Sequence, residues 1–496
     1  MSRDILRGIV SIAGSNVAVM VLAFPLTPIL VRFLGSAQYG DYAFMLSFLS
    51  VAWVFVNGGV FDGMRKYIAE EREMANWQEY VFGFYFRVAL VFAVPSALVI
   101  GLAAYVGVIE FALDATFRTY FYLIGVLIVA RQLRAVGRSV LMGLGDEHLS
   151  EPLLILEKFF FWPVALGLVY TGLGVSGVLV GHIVAVLLSA TTAFVILSRR
   201  VSIAALFRRT PPDFPRRTLV SFNNRTIVLM FLLNALLYTD ILLLHPIAGS
   251  EQAGYYQAAI VITDFLWLVP FAVQLTLLHS SSELWSNGRR ERINEVSALA
   301  TRYVFLVTML FCVGIAVLAD SFVPLYYGGE FEAAIRPLQF LLIGVVGFAV
   351  ARPIFAIGQG KGTLRTLIYA TGAAVAFNLV LNLLLIPRYG TNGAAVATSI
   401  GYGSMLIFHV WSARRLGFDP LGDFRFGRIL ATTVVTGVVI YPLDAVIGSP
   451  VVSLLLVPPV GLVIFLLTAV TVGAIDDDDI IYMLERSPER VQRMIP

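Results

Sequence analysis

Gly35-Ser-Ala-Gln-Tyr-Gly-Asp-Tyr42 returns as Gly249-Ser-Glu-Gln-Ala-Gly-Tyr-Tyr256, so one pattern, G-S-x-Q-x-G-x-Y, is written twice about 215 residues apart. Each copy follows a long apolar run, 9–31 in the first case and 219–244 in the second. Two more pairs keep nearly the same offset: Gly143-Leu-Gly145 with Gly358-Gln-Gly360, and Gly174-Val-Ser-Gly177 with Gly390-Thr-Asn-Gly393. One match between short glycine motifs would carry little, but three at one offset read as an internal duplication.

The segments between these motifs set the fold class. The chain of 496 residues is 58% hydrophobic and 14% charged, with a mean hydropathy of +0.85. Soluble domains carry about 25% charged residues, so most of this chain has lipid as its solvent. A bilayer core of ~30 Å needs roughly 20 apolar residues per helix. Fourteen such runs follow almost back to back: 9–31, 41–61, 82–107, 117–142, 151–171, 176–198, 219–244, 253–279, 302–319, 335–357, 364–386, 392–413, 428–447 and 451–474. The expected fold is all-α, a polytopic membrane protein of about fourteen transmembrane helices. The first run lacks a small-residue cleavage site and reads as a span rather than a signal peptide.

Lys and Arg fix the expected orientation. With the N-terminus inside, the cytoplasmic segments hold about six times as many as the external ones, which carry only Arg32, Arg118, Arg336 and Arg388. Cytoplasmic loops are enriched in this way, so both termini are expected in the cytoplasm. The net charge of +3 is a product of this sidedness and no sign of nucleic-acid binding. Six spans per repeat give both copies the same membrane orientation, and parallel repeats form two lobes that rock about a central site. The expected divisions are a six-helix lobe at 1–198, a basic cytoplasmic linker at 199–217, a second six-helix lobe at 218–413, two additional helices at 414–474 and a cytoplasmic tail at 475–496.

Three stretches resemble the polysaccharide-transporter branch of the multidrug/oligosaccharidyl-lipid/polysaccharide exporter superfamily. They are Arg32 to Tyr42 continuing to Gly58-Gly-Val-Phe-Asp62 and Arg65-Lys-Tyr-Ile68; Asp240-Ile-Leu-Leu-Leu with Gly249 to Ala259; and Asn378-Leu-Val-Leu-Asn-Leu-Leu-Leu-Ile-Pro-Arg-Tyr-Gly390 with Asn392-Gly-Ala-Ala-Val-Ala397. The resemblance covers essentially the whole chain. It implies two six-helix lobes, often with two added C-terminal helices, and a flippase of the O-antigen type. Such a protein moves polyprenyl-(pyro)phosphate-linked oligosaccharide from the cytoplasmic to the external leaflet by alternating access, for cell-surface polysaccharide or glycoprotein synthesis. The implied partners are the lipid-linked oligosaccharide, membrane lipids and glycan assembly enzymes, and no cofactor is expected.

Ionisable residues inside apolar spans carry the candidate chemistry, since each costs at least ~2.5–3.5 kcal/mol there. Arg131, Arg134 and Arg138 stand at i, i+3 and i+7, on one face of the fourth span. Arg131 lies about 18 Å from that helix's cytoplasmic end at 1.5 Å per residue, too deep for easy snorkelling. The stripe reads as a phosphate-binding wall, because guanidinium forks bind phosphate bidentately; the alternative is a basic interfacial segment with an earlier span end. Arg87, Lys158, Arg225 and Arg352 add positive charge from other spans. Asp240, Asp264 and Glu157 are the acids, suited either to coupling or to structural ion pairs. Pro25 and Pro28 interrupt the first span as a hinge or a static kink.

Other patterns carry no chemistry. Gly172-Leu-Gly-Val-Ser-Gly177 spells a dinucleotide fingerprint without its strand, and Gly358-Gln-Gly-Lys-Gly-Thr363 places Gly362 where a P-loop needs Ser or Thr. Asp476 to Asp479 reads as a solvated acidic tail, and the five histidines make no metal spacing. The single cysteine, Cys312, allows no intrachain disulfide. Two competing functions remain open: an ion-coupled exporter of drugs or other small molecules, which would need a carboxylate in a mostly neutral or acidic cavity, and a membrane glycosyltransferase or polymerase, which would need acids in a sizeable external loop. Three lysines against a surplus of arginines suggest a GC-rich prokaryotic genome, and hence a prokaryotic plasma membrane.

Overall fold

The computed structural model describes residues 3–221 and 224–476, the side chains of 3–17, 207, 220–225 and 279 apart. Helices follow one another with short turns: α1 (Arg3–Asn57), α2 (Val60–Ala69), α3 (Trp77–Tyr105), α4 (Val108–Ala112), α5 (Ala115–Gly143) and α6 (Glu147–Ser150). Next come α7 (Pro152–Leu168), α8 (Gly174–Leu197), α9 (Arg216–Ser221), α10 (Asn224–Ala248), α11 (Ser250–Asp264) and α12 (Leu268–Ser286). The last are α13 (Arg290–Tyr327), α14 (Ile335–Gly360), α15 (Leu364–Leu416), α16 (Phe426–Ile447) and α17 (Pro450–Thr471). Among the described residues there is no strand, as expected where lipid cannot satisfy an open sheet edge. Large apolar side chains face outward, Phe111 at 95% exposed, Val446 at 84% and Ile343 at 74%, which is stable only against hydrocarbon.

Eleven helical runs among the described residues are long and apolar enough to cross a membrane. Three of them are broken by a glycine: Ala18–Asn57 at Gly35, Glu147–Leu197 at Gly172 and Gly174, and Leu364–Leu416 at Gly390. The eleven runs therefore contain fourteen legs, the number read from the sequence. Gly174 and Gly390, paired by the repeat, adopt nearly the same backbone, φ 50 and ψ −133 against φ 52 and ψ −130. Only glycine takes that conformation without strain. The second glycine pair needs correction by two residues. Helices α5 and α14 end at Gly143 and Gly360, and positive φ falls at Gly145 and Gly362 (79° and 77°), so Gly145 matches Gly362 rather than Gly360.

Two span ends also differ from expectation. The second span stops at Asn57, because Gly58 and Gly59 turn with positive φ and start the separate amphipathic α2. Its Val60, Met64, Tyr67 and Ile68 are buried while Arg65 and Lys66 are exposed. The ninth span extends to Arg290–Tyr327 because its basic first turns are helical. Within them Arg302 is buried, bonded to Asp423 and, at 3.5 Å, to Asp476. Arg425 closes this clamp, reaching Asp423 at 2.7 Å and Asp476 at 2.5 and 2.6 Å. Asp476 thus ties the end of α17 to α13 instead of belonging to a solvated tail; Asp477 to Asp479 lie outside the described residues.

The chain packs as two compact units, residues 1–257 and 258–496. In the first, the segment after α8 is docked on α3 and α2. Arg208 pairs with Glu79 at 2.5 Å, and the Tyr85 hydroxyl donates to the Leu219 carbonyl at 3.0 Å. In the second, α14 packs along α15, and α16 and α17 pack on α13.

Candidate functional site: a basic cluster between α5 and α7

Helix α5 is continuous for 29 residues, ~43 Å at 1.5 Å per residue, and carries the arginine stripe unbroken. The second wall is α7, whose Glu151 (its N-cap), Glu157 and Lys158 stand near the stripe. Arg134 pairs with Glu157, and Arg138 Nη2 donates to Glu151 Oε1 at 2.9 Å. Both carboxylates are buried. Two of the three stripe arginines are therefore neutralised in place. This is the arrangement expected where a buried charge without a partner is costly.

Arg131 and Lys158 are not neutralised. Among the described residues Arg131 makes no hydrogen bond or ion pair; Tyr42, Arg134, Glu157 and Tyr238 stand around it. Lys158 Nζ lies over the Phe161 ring, 5.4 Å from its centre, and beside Glu157, Arg131 and Arg134. Both side chains are part-exposed. Four cations thus stand with two carboxylates, which leaves the cluster with two positive charges in excess. His182 completes the site, buried with Nε2 2.9 Å from the Tyr42 hydroxyl and its ring stacked on Phe161. Such an arrangement can take an anion by replacing its hydration with charge-assisted hydrogen bonds.

The remaining candidates lie elsewhere. Arg87 Nη1 donates to the Leu206 and Arg208 carbonyls at 3.1 and 2.9 Å, so its charge holds the segment after α8 and adds nothing to the cluster. Arg352 belongs to the second unit, where it donates to Gln274 Oε1 at 3.1 Å and lies over Phe348 and Trp267. The side chain of Arg225 lies outside the described residues. Asp240 is buried and accepts from the Tyr256 hydroxyl at 2.9 Å, the structural role that suited its place near a span end. Asp264 is exposed at the end of α11, where the helix tightens into a 3₁₀ turn at Phe265–Trp267. Pro25 and Pro28 lie within helical backbone, and the break in α1 falls at Gly35 instead.

Sequence reasoning did not anticipate that the recurring motif touches its own copy. A Cβ on Gly40 would overlap the Ser250 carbonyl and sit 2.7 Å from Gly254 N, and one on Gly254 would overlap the Ser36 carbonyl. Beside this crossing His245 Nε2 stands 2.8 Å from Asp41 Oδ1 and 3.2 Å from Ser250 Oγ. The motif's closing tyrosines were readable as repeats, but not as the partners of His182 and Asp240.

Residues 5–269 match the family described as polysaccharide biosynthesis protein. An uncharacterized membrane protein of Methanocaldococcus jannaschii is 30% identical over 173 residues, 34% of this chain and 33% of that protein. The probable low-salt glycan biosynthesis flippase Agl15 of Haloferax volcanii is 26% identical over 176 residues, 35% of this chain and 36% of that one. The matches span about a third of the length of these relatives. Among solved structures, the lipid II flippase MurJ in its inward closed conformation superimposes with a TM-score of 0.75 at 15% identity, over 94% of this chain and 98% of that one. An inward-facing multidrug resistance MATE family transporter of the MOP superfamily gives 0.66 at 16%, over 80% and 94%.

Proposed function

The chain belongs to the polysaccharide biosynthesis protein family, within the polysaccharide transporters of the multidrug/oligosaccharidyl-lipid/polysaccharide superfamily, and from this we propose that it flips lipid-linked oligosaccharide from the cytoplasmic to the external leaflet. The observation that carries the reading is the pair Arg131 and Lys158, two cations without partnering acids on membrane-spanning helices. A polyprenyl phosphate or pyrophosphate needs such a site when it leaves the headgroup layer, and a neutral drug does not. A relative named as a probable glycan biosynthesis flippase supports the reading. In this reading the lobes 1–198 and 218–413 alternate access around the bound headgroup, with the basic linker 199–217 and both termini in the cytoplasm of a prokaryote. The polyprenyl tail stays in lipid. The membrane potential, negative inside, favours outward movement of an anion by ~2.3 kcal/mol per charge per 100 mV.

The test is the sidedness of polyprenyl-linked oligosaccharide in cells lacking the protein, read with a glycosidase that cannot cross the membrane. Complete glycolipid confined to the cytoplasmic face is the expected result. Normal sidedness would remove the flippase assignment, and truncated glycans would point to an enzyme of assembly.

A further inference from the structure

A cavity with a largely apolar lining and a few polar groups opens between the C-terminal end of the second leg of α1 and the beginning of α10, with a volume of about 200 Å³. Helical spacing builds both walls. Trp53 and Asn57 stand at i and i+4 on α1, Thr226, Met230 and Asn234 at i, i+4 and i+8 on α10, and Asp62 comes from the first turn of α2. The cavity is many times the ~10–15 Å³ that one water needs and smaller than the ~300 Å³ at which drug-sized pockets begin. It is the size of one small ring.

Its polar groups are left over by the protein. Among the described residues, Trp53 Nε1, Thr226 Oγ1 and the Asp62 carboxylate have no hydrogen-bond partner. Asn234 uses its Nδ2 on the Met230 carbonyl at 2.9 Å, which leaves Oδ1 open, and Asn57 uses Oδ1 on the Phe61 N–H at 3.4 Å, which leaves Nδ2 open. The set mixes donors and acceptors around an indole. Hydroxyls, each both donor and acceptor, match that mixture, and the apolar face of a pyranose ring stacks on an aromatic side chain. A phosphate would meet the carboxylate of Asp62, and a lone metal cation would find one carboxylate.

The position agrees. Asn234 and Tyr238 are i, i+4 neighbours on α10, and Tyr238 stands beside Arg131. From Asn234 to Tyr238 is ~6 Å along the axis, and from Thr226 ~18 Å, so the Asn234 end of the cavity lies about one helical turn from the residue beside Arg131.

We propose that this cavity is a sugar-binding subsite that takes one pyranose ring of a lipid-linked glycan, an inference that rests on the flippase reading above. The test uses the full chain in nanodiscs. Saturation-transfer NMR with glucose, N-acetylglucosamine and mannose as probes reads ring contact, and retention of sugar-free polyprenyl phosphate reads the basic cluster. At least one sugar should give ring-proton transfer in the native protein. Trp53→Ala and Asp62→Asn should each weaken it by about tenfold, Trp53→Phe should restore most of it, and polyprenyl phosphate should bind all variants alike. Transfer that is absent for every sugar, or unchanged in both Trp53→Ala and Asp62→Asn, would overturn the subsite. The flippase reading fails separately, when glycolipid sidedness is normal in cells without the protein.

Discussion

Removing Glu157 should harm this protein far more than removing Glu157 together with its partner. Arg134 and Glu157 are 18% and 8% exposed at their side chains, and Arg131 and Lys158 also stand near the carboxylate. Glu157→Gln therefore leaves an extra unpaired cation in a crowd of three, and one-sided removal from a buried pair costs about 3–5 kcal/mol. Arg134→Gln is milder, because the two other cations still face Glu157; the loss is one charge-assisted hydrogen bond, ~1.5–3 kcal/mol. The double variant Arg134→Gln/Glu157→Gln keeps the local charge balance and should lie within ~1 kcal/mol of the native protein, as isosteric replacement of buried pairs often does. The assay is SDS-induced unfolding in mixed micelles followed by circular dichroism, analysed as a double-mutant cycle. The expected coupling is at least ~2 kcal/mol, and a double variant whose cost is the sum of the singles to within ~0.5 kcal/mol would refute the reasoning. The same proteins separate structure from function: the double variant should still flip glycolipid.

Three further outcomes follow from the geometry. Arg131→Gln with Lys158→Met removes two charge-assisted hydrogen bonds to a phosphate, ~1.5–3 kcal/mol each, so polyprenyl phosphate binding should fall by roughly 10²–10⁴-fold in a titration of the purified protein, while Arg87→Gln should leave it unchanged. Gly254→Ala drives a methyl into the Ser36 carbonyl and should lower stability by about 1–3 kcal/mol, visible as a reduced midpoint in the same SDS titration; Gly249→Ala, with nothing within 4 Å, tests backbone strain alone. The Arg425 side chain holds the Asp476 carboxyl below the usual carboxylate range. A depressed carboxylate contributes stability above its unfolded value of about 3.9, lost only as pH falls through its lower folded value. Hydrogen exchange at the base of α16 and α17 should then show no pH-dependent opening, after correction for intrinsic exchange, between pH 8 and pH 5, whereas Arg425→Gln should loosen it throughout.

The arginine stripe was legible because helical spacing alone puts residues 131, 134 and 138 on one face, and intramembrane charge is rare enough to mark itself. What spacing does not reveal is which charges cancel. Glu151 lies at a span end and Glu157 next to Lys158, and only the fold, in which α5 and α7 both pack on α8, assigns each acid to one arginine. Arg87 misled for a related reason: its run is apolar, but the partners that satisfy it are carbonyls about 120 residues further on. Glycine breaks at 35, 174 and 390 were readable as punctuation between runs, since each stands where a spanning leg must turn. The cavity beside Trp53 was invisible, because its two walls are about 170 residues apart and neither wall carries an unusual residue by itself.

The crossing of Gly40 and Gly254 has a genealogical consequence. In a two-fold assembly of identical subunits, a residue on the axis meets its own mate from the other subunit. Here the sixth residue of one motif copy lies against the sixth residue of the other, within a single polypeptide. End-to-end fusion of two copies of such a subunit would leave a contact of that kind inside one chain. It also limits later divergence. Any side chain added at either glycine is felt at once by both copies of the motif.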